Sequence, residues 1–340
     1  TRSYSVTGVQ TFALPILSFT LVALFSSIIL TIPVVTSVVL AAMLFLAIGL
    51  SMVFERRAFC RYLCPVGGFI GLYAQTAPIE LRIKDKNTCA QCVGKPCYNG
   101  SALGAGCPWD VFPGGLTKNT YCGLCLECIR TCPHDNIAVN MRPFSADLAR
   151  PSAKLDEAFK AFIMLGAALI YAYVLMGSNG AVKMAAYSVF SPAWFGYAAA
   201  FLAVIFILLP GLFWLCLKAG NAGSPVSGKQ FAIASTPLIP LGLMFWVAFS
   251  LAFVLTNASY ILSALSDPFG WGWDLFGTAS TAWQPALLSL VAPAQTLGLV
   301  GGLAWSVRTA QKTSSKAIQS VAPLILYIFT ITLLMLWLLL

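Results

Sequence analysis

Long apolar runs broken by short polar joints make up most of the chain, with one extended polar interruption after the second run. Each run of about 20 residues free of Asp, Glu, Lys and Arg has the length a helix needs to cross a hydrocarbon core of about 30 Å. Seven such spans are predicted. The first two, Thr11 to Leu30 and Pro33 to Phe54, are separated only by Thr31-Ile32-Pro33, so residues 1–54 read as a helical hairpin. Beyond the interruption, spans are predicted near Ala161–Met176, Phe195–Leu217, Phe231–Leu255, Pro285–Trp305 and Val321–Leu340, giving a five-span unit over 157–340. Pro210, Pro237, Pro240 and Pro293 are expected to kink or break their helices, because proline removes a backbone donor and clashes with the preceding turn.

Composition agrees with this pattern: 59% of the 340 residues are hydrophobic and 9% are charged, against roughly 45–50% and about 25% in soluble domains. The class is a polytopic α-helical membrane protein, with the lipid bilayer as its first partner. The net charge of +9 is unevenly placed. Arg56, Arg57 and Arg61 follow the second span, Lys218 and Lys229 bound the joint after the fourth, and Arg308, Lys312 and Lys316 follow the sixth. The alternate joints, 177–194 and 257–284, share the single basic residue Lys183. By the positive-inside rule the basic joints face the cytoplasm, and the expected location is a bacterial or archaeal inner membrane. A nucleic-acid partner is not indicated. No cleavable signal-peptide pattern is recognised before the first span.

The polar interruption carries the chemistry. Cys122-x2-Cys125-x2-Cys128-x3-Cys132-Pro133 has the spacing that holds a 4Fe-4S cluster in bacterial ferredoxins. Upstream, Cys89-x2-Cys92-x4-Cys97-x9-Cys107-Pro108 reads as a stretched copy that ends in the same Cys-Pro. Where two such runs fold as a repeat, the fourth cysteine of each serves the other run's cluster. One site would then take Cys89, Cys92, Cys97 and Cys132, and the other Cys122, Cys125, Cys128 and Cys107. The alternative is that the stretched run keeps its four cysteines together. A zinc domain also uses C-x2-C pairs, though at longer separations between pairs. Cysteines on the reducing side of a membrane argue for metal ligation over disulfides. Residues 82–156 therefore read as an inserted cytoplasmic, bacterial-ferredoxin-like domain with two 4Fe-4S sites. His134 is the only histidine, so no span offers an axial ligand for a haem b, and it reads as a loop side chain beside a cluster.

A further pair, Cys60 and Cys64, lies in Cys60-Arg61-Tyr62-Leu63-Cys64-Pro65 within a membrane-surface segment, 55–81. Their i, i+4 spacing places both on one helix face, with Pro65 stopping the turn. Two thiols do not complete a cluster site. They suit a shared site with a partner subunit, a redox-active pair, or interface packing.

Phe59-Cys60-Arg61-Tyr62-Leu63-Cys64-Pro65-Val66-Gly67, followed by two ferredoxin runs between apolar spans, resembles the NapH and NosR type membrane polyferredoxins and the related CcoG/RdxA group. The resemblance covers about residues 34 to 143. Such proteins commonly carry two membrane-surface C-x3-C-P elements, and one is found here. The resemblance implies electron transfer between the quinone pool and a periplasmic or membrane oxidoreductase, with other redox subunits as partners, or support of that enzyme's assembly or maturation. Apart from the resemblance, the same motifs permit an assembly or redox-sensing factor for a metalloenzyme, in which Cys60 and Cys64 handle metal or thiol exchange.

The remaining signals are weaker. Gly223-Ser224-Pro225-Val226-Ser227-Gly228-Lys229-Gln230 nearly matches a phosphate loop, but Gln230 replaces the magnesium-binding Ser or Thr. It reads as a flexible interhelical loop. Cys216 within the fourth span reads as an apolar filler. Pro268 to Phe276 carries Phe269, Trp271 and Trp273, with Trp283 beyond, which suits a headgroup anchor or a partner contact. Gly298 and Gly302 permit close helix packing. No ionisable group lies at membrane depth, so a proton or ion path is not expected, and the absence of an evident nucleophile or general base places catalysis in a partner.

Overall fold

The computed structural model describes residues 8–151, 153–177, 179–314 and 318–340; Lys316, one of the basic residues invoked for orientation, lies outside them. Helix α1 (Gly8–Thr31) and helix α2 (Pro33–Val53) form the expected hairpin. Ile32 is extended and Pro33 takes the first helical position, where its missing N–H leaves no bond unmade. After α2, Arg56 and Arg57 adopt left-handed backbone conformations and turn the chain into α3 (Ala58–Tyr62) and α4 (Pro65–Tyr73).

Here the one-face reading of Cys60 and Cys64 is corrected. Cys60 lies inside α3, but Cys64 is extended (φ −68°, ψ 119°) and caps α4. Pro65 opens a helix instead of stopping one, because proline disfavours helical geometry in the residue before it and suits the first turn of the helix after it.

A two-stranded antiparallel ribbon closes the polar unit. Strand β1 (Ile79–Ile83) leads through α5 (Lys86–Gln91), α6 (Pro96–Asn99) and α7 (Glu127–Arg130) to β2 (Ile137–Met141), with Ile79 opposite Met141 and Ile83 opposite Ile137. Leu81 and Ile137 are buried beneath the cysteine loops, as alternating apolar positions on a half-covered ribbon require. One-turn helices α6 and α7 pack against each other.

The chain then runs through α8 (Leu155–Tyr171), α9 (Gly180–Tyr187), α10 (Pro192–Ala203), α11 (Leu209–Gly220), α12 (Gly228–Ala234), α13 (Leu238–Thr256), α14 (Tyr260–Ser266), α15 (Leu288–Thr313) and α16 (Ala322–Leu339). Among the described residues, six helical stretches are long and apolar enough to cross a membrane: 33–53, 155–176, 192–220, 238–256, 288–313 and 322–339. The apolar part of α1 whose side chains are described, Ile16–Ile29, is shorter. Helix α8 is the central post, with Phe162, Ile163 and Leu165 fully buried, whereas α2 has no buried residue. Wider-pitch turns, with bonds five residues apart, end α8 at Ala172–Met176 and join α10 to α11 at Val204–Leu208. The second lies just before Pro210, where a regular turn would lose a bond.

Two further expectations change. The span over Phe231–Leu255 is two helices, α12 and α13, broken at Pro237; Pro240 falls in the first turn of α13, where it is tolerated, and Pro293 stays inside α15. The loop 223–230 is not wholly flexible either. Ser227 accepts a hydrogen bond from the Gln230 N–H while the Gln230 side chain accepts from the Ser227 N–H, a capping box that starts α12. Gly302 packs flat on Met244 of α13, as close packing at a small residue requires.

Polar contacts seat the cysteine unit on the bundle. Asp147, 3% exposed, accepts from Arg142 Nη2 at 2.8 Å, from Arg82 Nη2 at 3.1 Å and from the Asn119 N–H at 2.8 Å. Lys118 Nζ reaches Gln75 Oε1 at 3.3 Å and Glu157 Oε2, in the first turn of α8, at 3.4 Å. Gly71 of α4 lies against the Thr120 carbonyl, where a Cβ would come within 2.6 Å. Helix α4 thus rests on the backbone just before Cys122.

Candidate cluster sites

Each cysteine run repeats one local plan. Asp85 caps α5 by accepting from the N–H groups of Asn87 and Thr88, which presents Cys89 on a short helix. Lys95 and Leu126, both with positive φ, cap α6 and α7, so that Cys97 and Cys128 fall at the second position of equivalent one-turn helices. These two are the buried cysteines. The runs end alike as well: the N–H of Val111 donates to Cys107 Sγ at 3.5 Å, and that of Asn136 to Cys132 Sγ at 3.4 Å.

The repeat closes two cavities. Cys107, Cys122, Cys125 and Cys128 line one, together with Leu81, Trp109 and Gly123. Cys89, Cys92, Cys97 and Cys132 line the other, with Phe112 and His134. Cys107 therefore stands with the downstream run and Cys132 with the upstream one. Counting their open mouths, the two spaces enclose about 350 and 300 Å³. His134 is exposed at the rim of the second.

The donor set fits a 4Fe-4S cluster. Among the described residues no three His, Cys, Asp or Glu side chains converge as one metal ion demands. A zinc ion with Zn–S bonds of about 2.3 Å would draw its thiolates to within about 4 Å of one another. In a cluster each thiolate takes its own iron, and the cysteines stand further apart. Backbone donors to sulfur, as at Cys107 and Cys132, are the contacts that tune such clusters. Gly114 leaves room at Cys89, whose Sγ a Cβ there would approach within 2.8 Å.

Burial raises the thiols of both groups. Cys97 is pushed up to about 11 by burial and then by the neighbouring thiols of Cys132, Cys89 and Cys92. Cys128 is pushed up to about 12 by burial, then by Cys122, Cys107, Cys125 and Cys97. Cys97, from the other group, is among the thiols acting on Cys128, and the packing of α6 on α7 brings the two sites together there. Thiols held neutral in this way must release protons to bind metal.

Cys60 and Cys64 line neither cavity. Burial, reinforced by Cys64 and opposed by Arg57, raises the Cys60 thiol. Their segment is nevertheless tied to the first cavity. Arg56 and Arg61 both pair with Asp110, which also accepts from the Tyr98 hydroxyl at 2.6 Å, and the Arg57 guanidinium lies 5.5 Å from the centre of the Trp109 ring. Cys216 packs at the edge of the apolar core.

Residues 35–83 match the model of a family described as a 4Fe-4S binding domain. The matched stretch contains Cys60 and Cys64 and ends before Cys89. The chain is also 30% identical, over 86 residues, to the putative electron transport protein YccM of Escherichia coli (strain K12). That similarity covers 25% of this chain and 22% of the relative, so the chain spans about a fifth of the relative's length. No solved structure matches. Together these findings support a membrane-embedded, ferredoxin-type 4Fe-4S protein with a role in electron transfer.

Sequence spacing points to the eight cavity cysteines. It misses Trp109, Asp110 and Asp147. The repeated Cys-Pro-x-Asp in 107–110 and 132–135 is the available signal for the first two.

Proposed function

We propose that this chain is an electron-transfer subunit of a bacterial or archaeal inner-membrane redox complex. Cys89, Cys92, Cys97 and Cys132 hold one 4Fe-4S cluster and Cys107, Cys122, Cys125 and Cys128 a second, both facing the cytoplasm. The observation that carries this reading is that each cavity is lined by three cysteines of one run and the last cysteine of the other. Bound clusters supply one-electron chemistry between the quinone pool or a cytoplasmic donor and a partner oxidoreductase. The chain's residues donate backbone N–H groups to sulfur and tie the unit to the segment after the second helix through Arg56, Arg61 and Asp110. The resemblance to NapH and NosR type polyferredoxins and the placement of basic residues support the same reading.

The test is anaerobic EPR with iron and sulfide analysis, before and after a reduced quinol analogue is added. Two interacting clusters reduced by quinol are expected. Reduction by dithionite alone would remove the quinone pool from the proposal, and zinc without iron would overturn it.

A second reading, an assembly or redox-sensing factor for a metalloenzyme, is favoured by one observation: Cys60 and Cys64 stand outside both cavities. Replacing the pair discriminates. Loss of the mature partner enzyme supports assembly, whereas normal maturation with slowed electron flow supports the conduit.

A further inference from the structure

The two cavities are related by an internal repeat, but one repeated position differs in kind. Cys107-Pro108-Trp109-Asp110 and Cys132-Pro133-His134-Asp135 occupy equivalent places, and Asp110 and Asp135 both adopt positive φ, 56° and 45°. Each residue after Cys-Pro lines the cavity of its own cysteine group. His134 is exposed. In contrast, Trp109 Nε1 is sealed from solvent and has no hydrogen-bond partner within the chain.

Its position is fixed from two sides. A Cβ on Gly123 would lie 2.3 Å from Trp109 Nε1 and 2.5 Å from Cε2, so the indole N–H edge rests directly on the loop between Cys122 and Cys125 and admits only glycine beneath it. From outside, the Arg57 guanidinium covers the ring. A buried donor without an acceptor is costly, and native structures seldom keep one unless an ion, water or cofactor meets it. Besides Trp109, the cavity is lined by Leu81, Val111, Pro113, Leu116, Gly123, Leu126 and four cysteines. None of those side chains offers oxygen or nitrogen. Sulfur is the acceptor they leave.

We propose that Trp109 Nε1–H donates a hydrogen bond to sulfur of the 4Fe-4S cluster held by Cys107, Cys122, Cys125 and Cys128. That bond holds the cluster at a higher reduction potential than the same site would have without the indole N–H. This rests on the cluster reading above. One-electron reduction adds negative charge, which a donor to sulfur and a nearby cation both stabilise. At the other site the equivalent side chain, His134, is exposed, and a cation, Lys95, lines that cavity too, so the sealed indole N–H is what distinguishes the first site.

The experiment is an anaerobic redox titration followed by EPR on the full-length, cluster-loaded protein, comparing the unsubstituted chain with Trp109→Phe. A second variant carries 3-benzothienylalanine at position 109, which keeps the ring shape and replaces the N–H by sulfur. Both variants are expected to lower one of the two midpoint potentials and leave the other unchanged. Loss of an exchangeable-proton coupling to the same cluster in pulsed ENDOR is expected with them. Arg57→Gln should shift that cluster in the same direction. If Trp109→Phe loses the cluster, the benzothienyl variant decides. Unchanged potentials at full iron and sulfide content overturn the proposal. An unsubstituted protein that takes up no iron or sulfide overturns the cluster reading itself, a separate result.

Discussion

Arg61 Nη1 donates to Asp110 Oδ2 at 2.9 Å, joining helix α3, which carries Cys60, to the loop that follows Cys107. Arg56 and the Tyr98 hydroxyl meet the same carboxylate. Asp110→Ala strands both arginines. Because the side chains are a fifth to a third exposed, the expected loss is about 1–2 kcal/mol, between the worth of a charged hydrogen bond and that of a surface pair. Limited proteolysis should show earlier cleavage between residues 54 and 65. An unchanged pattern would mean that the docking rests on other contacts.

The crossed cavities make a sharper forecast. Cys107→Ser and Cys128→Ser should remove or alter the same EPR signal, although the two residues belong to different runs. Cys132→Ser should affect the other signal, shared with Cys97→Ser. If Cys107→Ser instead pairs with Cys97→Ser, the stretched run holds its own cluster.

Asp147 is the charge around which the polar unit closes, with Arg142 almost as buried as itself. Asp147→Ala removes the carboxylate that Arg82 and Arg142 share and leaves Glu80 as their remaining acidic partner, so it should destabilise the unit by about 1.5–3 kcal/mol, the worth of a hydrogen bond to a charged group. Thermal unfolding followed through the cluster absorbance would measure it. Glu127→Ala, which frees the largely exposed Arg130, should shift the transition far less in the same assay, because an exposed pair is screened by solvent.

The cap of α5 supplies a pH dependence. The Thr88 hydroxyl and then the N–H groups of Thr88 and Asn87 hold the Asp85 carboxyl below its ordinary 3.8, against a smaller opposing effect of desolvation. A folded-state value below the unfolded one means that the stabilisation is complete above 3.8 and is lost as pH falls through the lower folded value. Hydrogen exchange at the Thr88 amide should keep constant protection from pH 8 to 5 and lose it only under stronger acid. In Asp85→Ala that acid step should vanish.

Ser227→Ala tests the capping box at the head of α12. Removing an N-cap hydroxyl typically costs about 1 kcal/mol, read here as a lower midpoint of denaturation in detergent. No change would return residues 223–230 to a plain loop.

Legibility in the sequence depends on how local each signal is. Thiols spaced for neighbouring irons, and apolar runs long enough for a bilayer, are written within a few to about 20 consecutive residues, and both can be read directly. Boundaries are harder. Pro65 reads as a stop because proline serves both ends of helices, and its actual role depends on Cys64 being extended. The break at Pro237 and the box at Ser227 and Gln230 are hidden by the neighbouring apolar pattern and by a near match to a phosphate loop. Contacts such as Arg61 to Asp110 or Arg142 to Glu80 join segments dozens of residues apart, and nothing in one sequence says which arginine meets which carboxylate. Trp109 escapes notice for the same reason, since its importance lies in the Gly123 backbone beneath it.

The exchange of last cysteines between the runs has a consequence for how such a unit can be inherited. Neither half is a detachable module: separating the halves after Gly115 leaves each cavity one cysteine short, and deleting either run takes three cysteines from one cavity and the last from the other. The two sites are interlocked like links of a chain, so a change that removes Cys107 or Cys132 is felt in the half that does not contain it. A lineage that kept one cavity and lost the other would have to close the survivor with a cysteine from somewhere new.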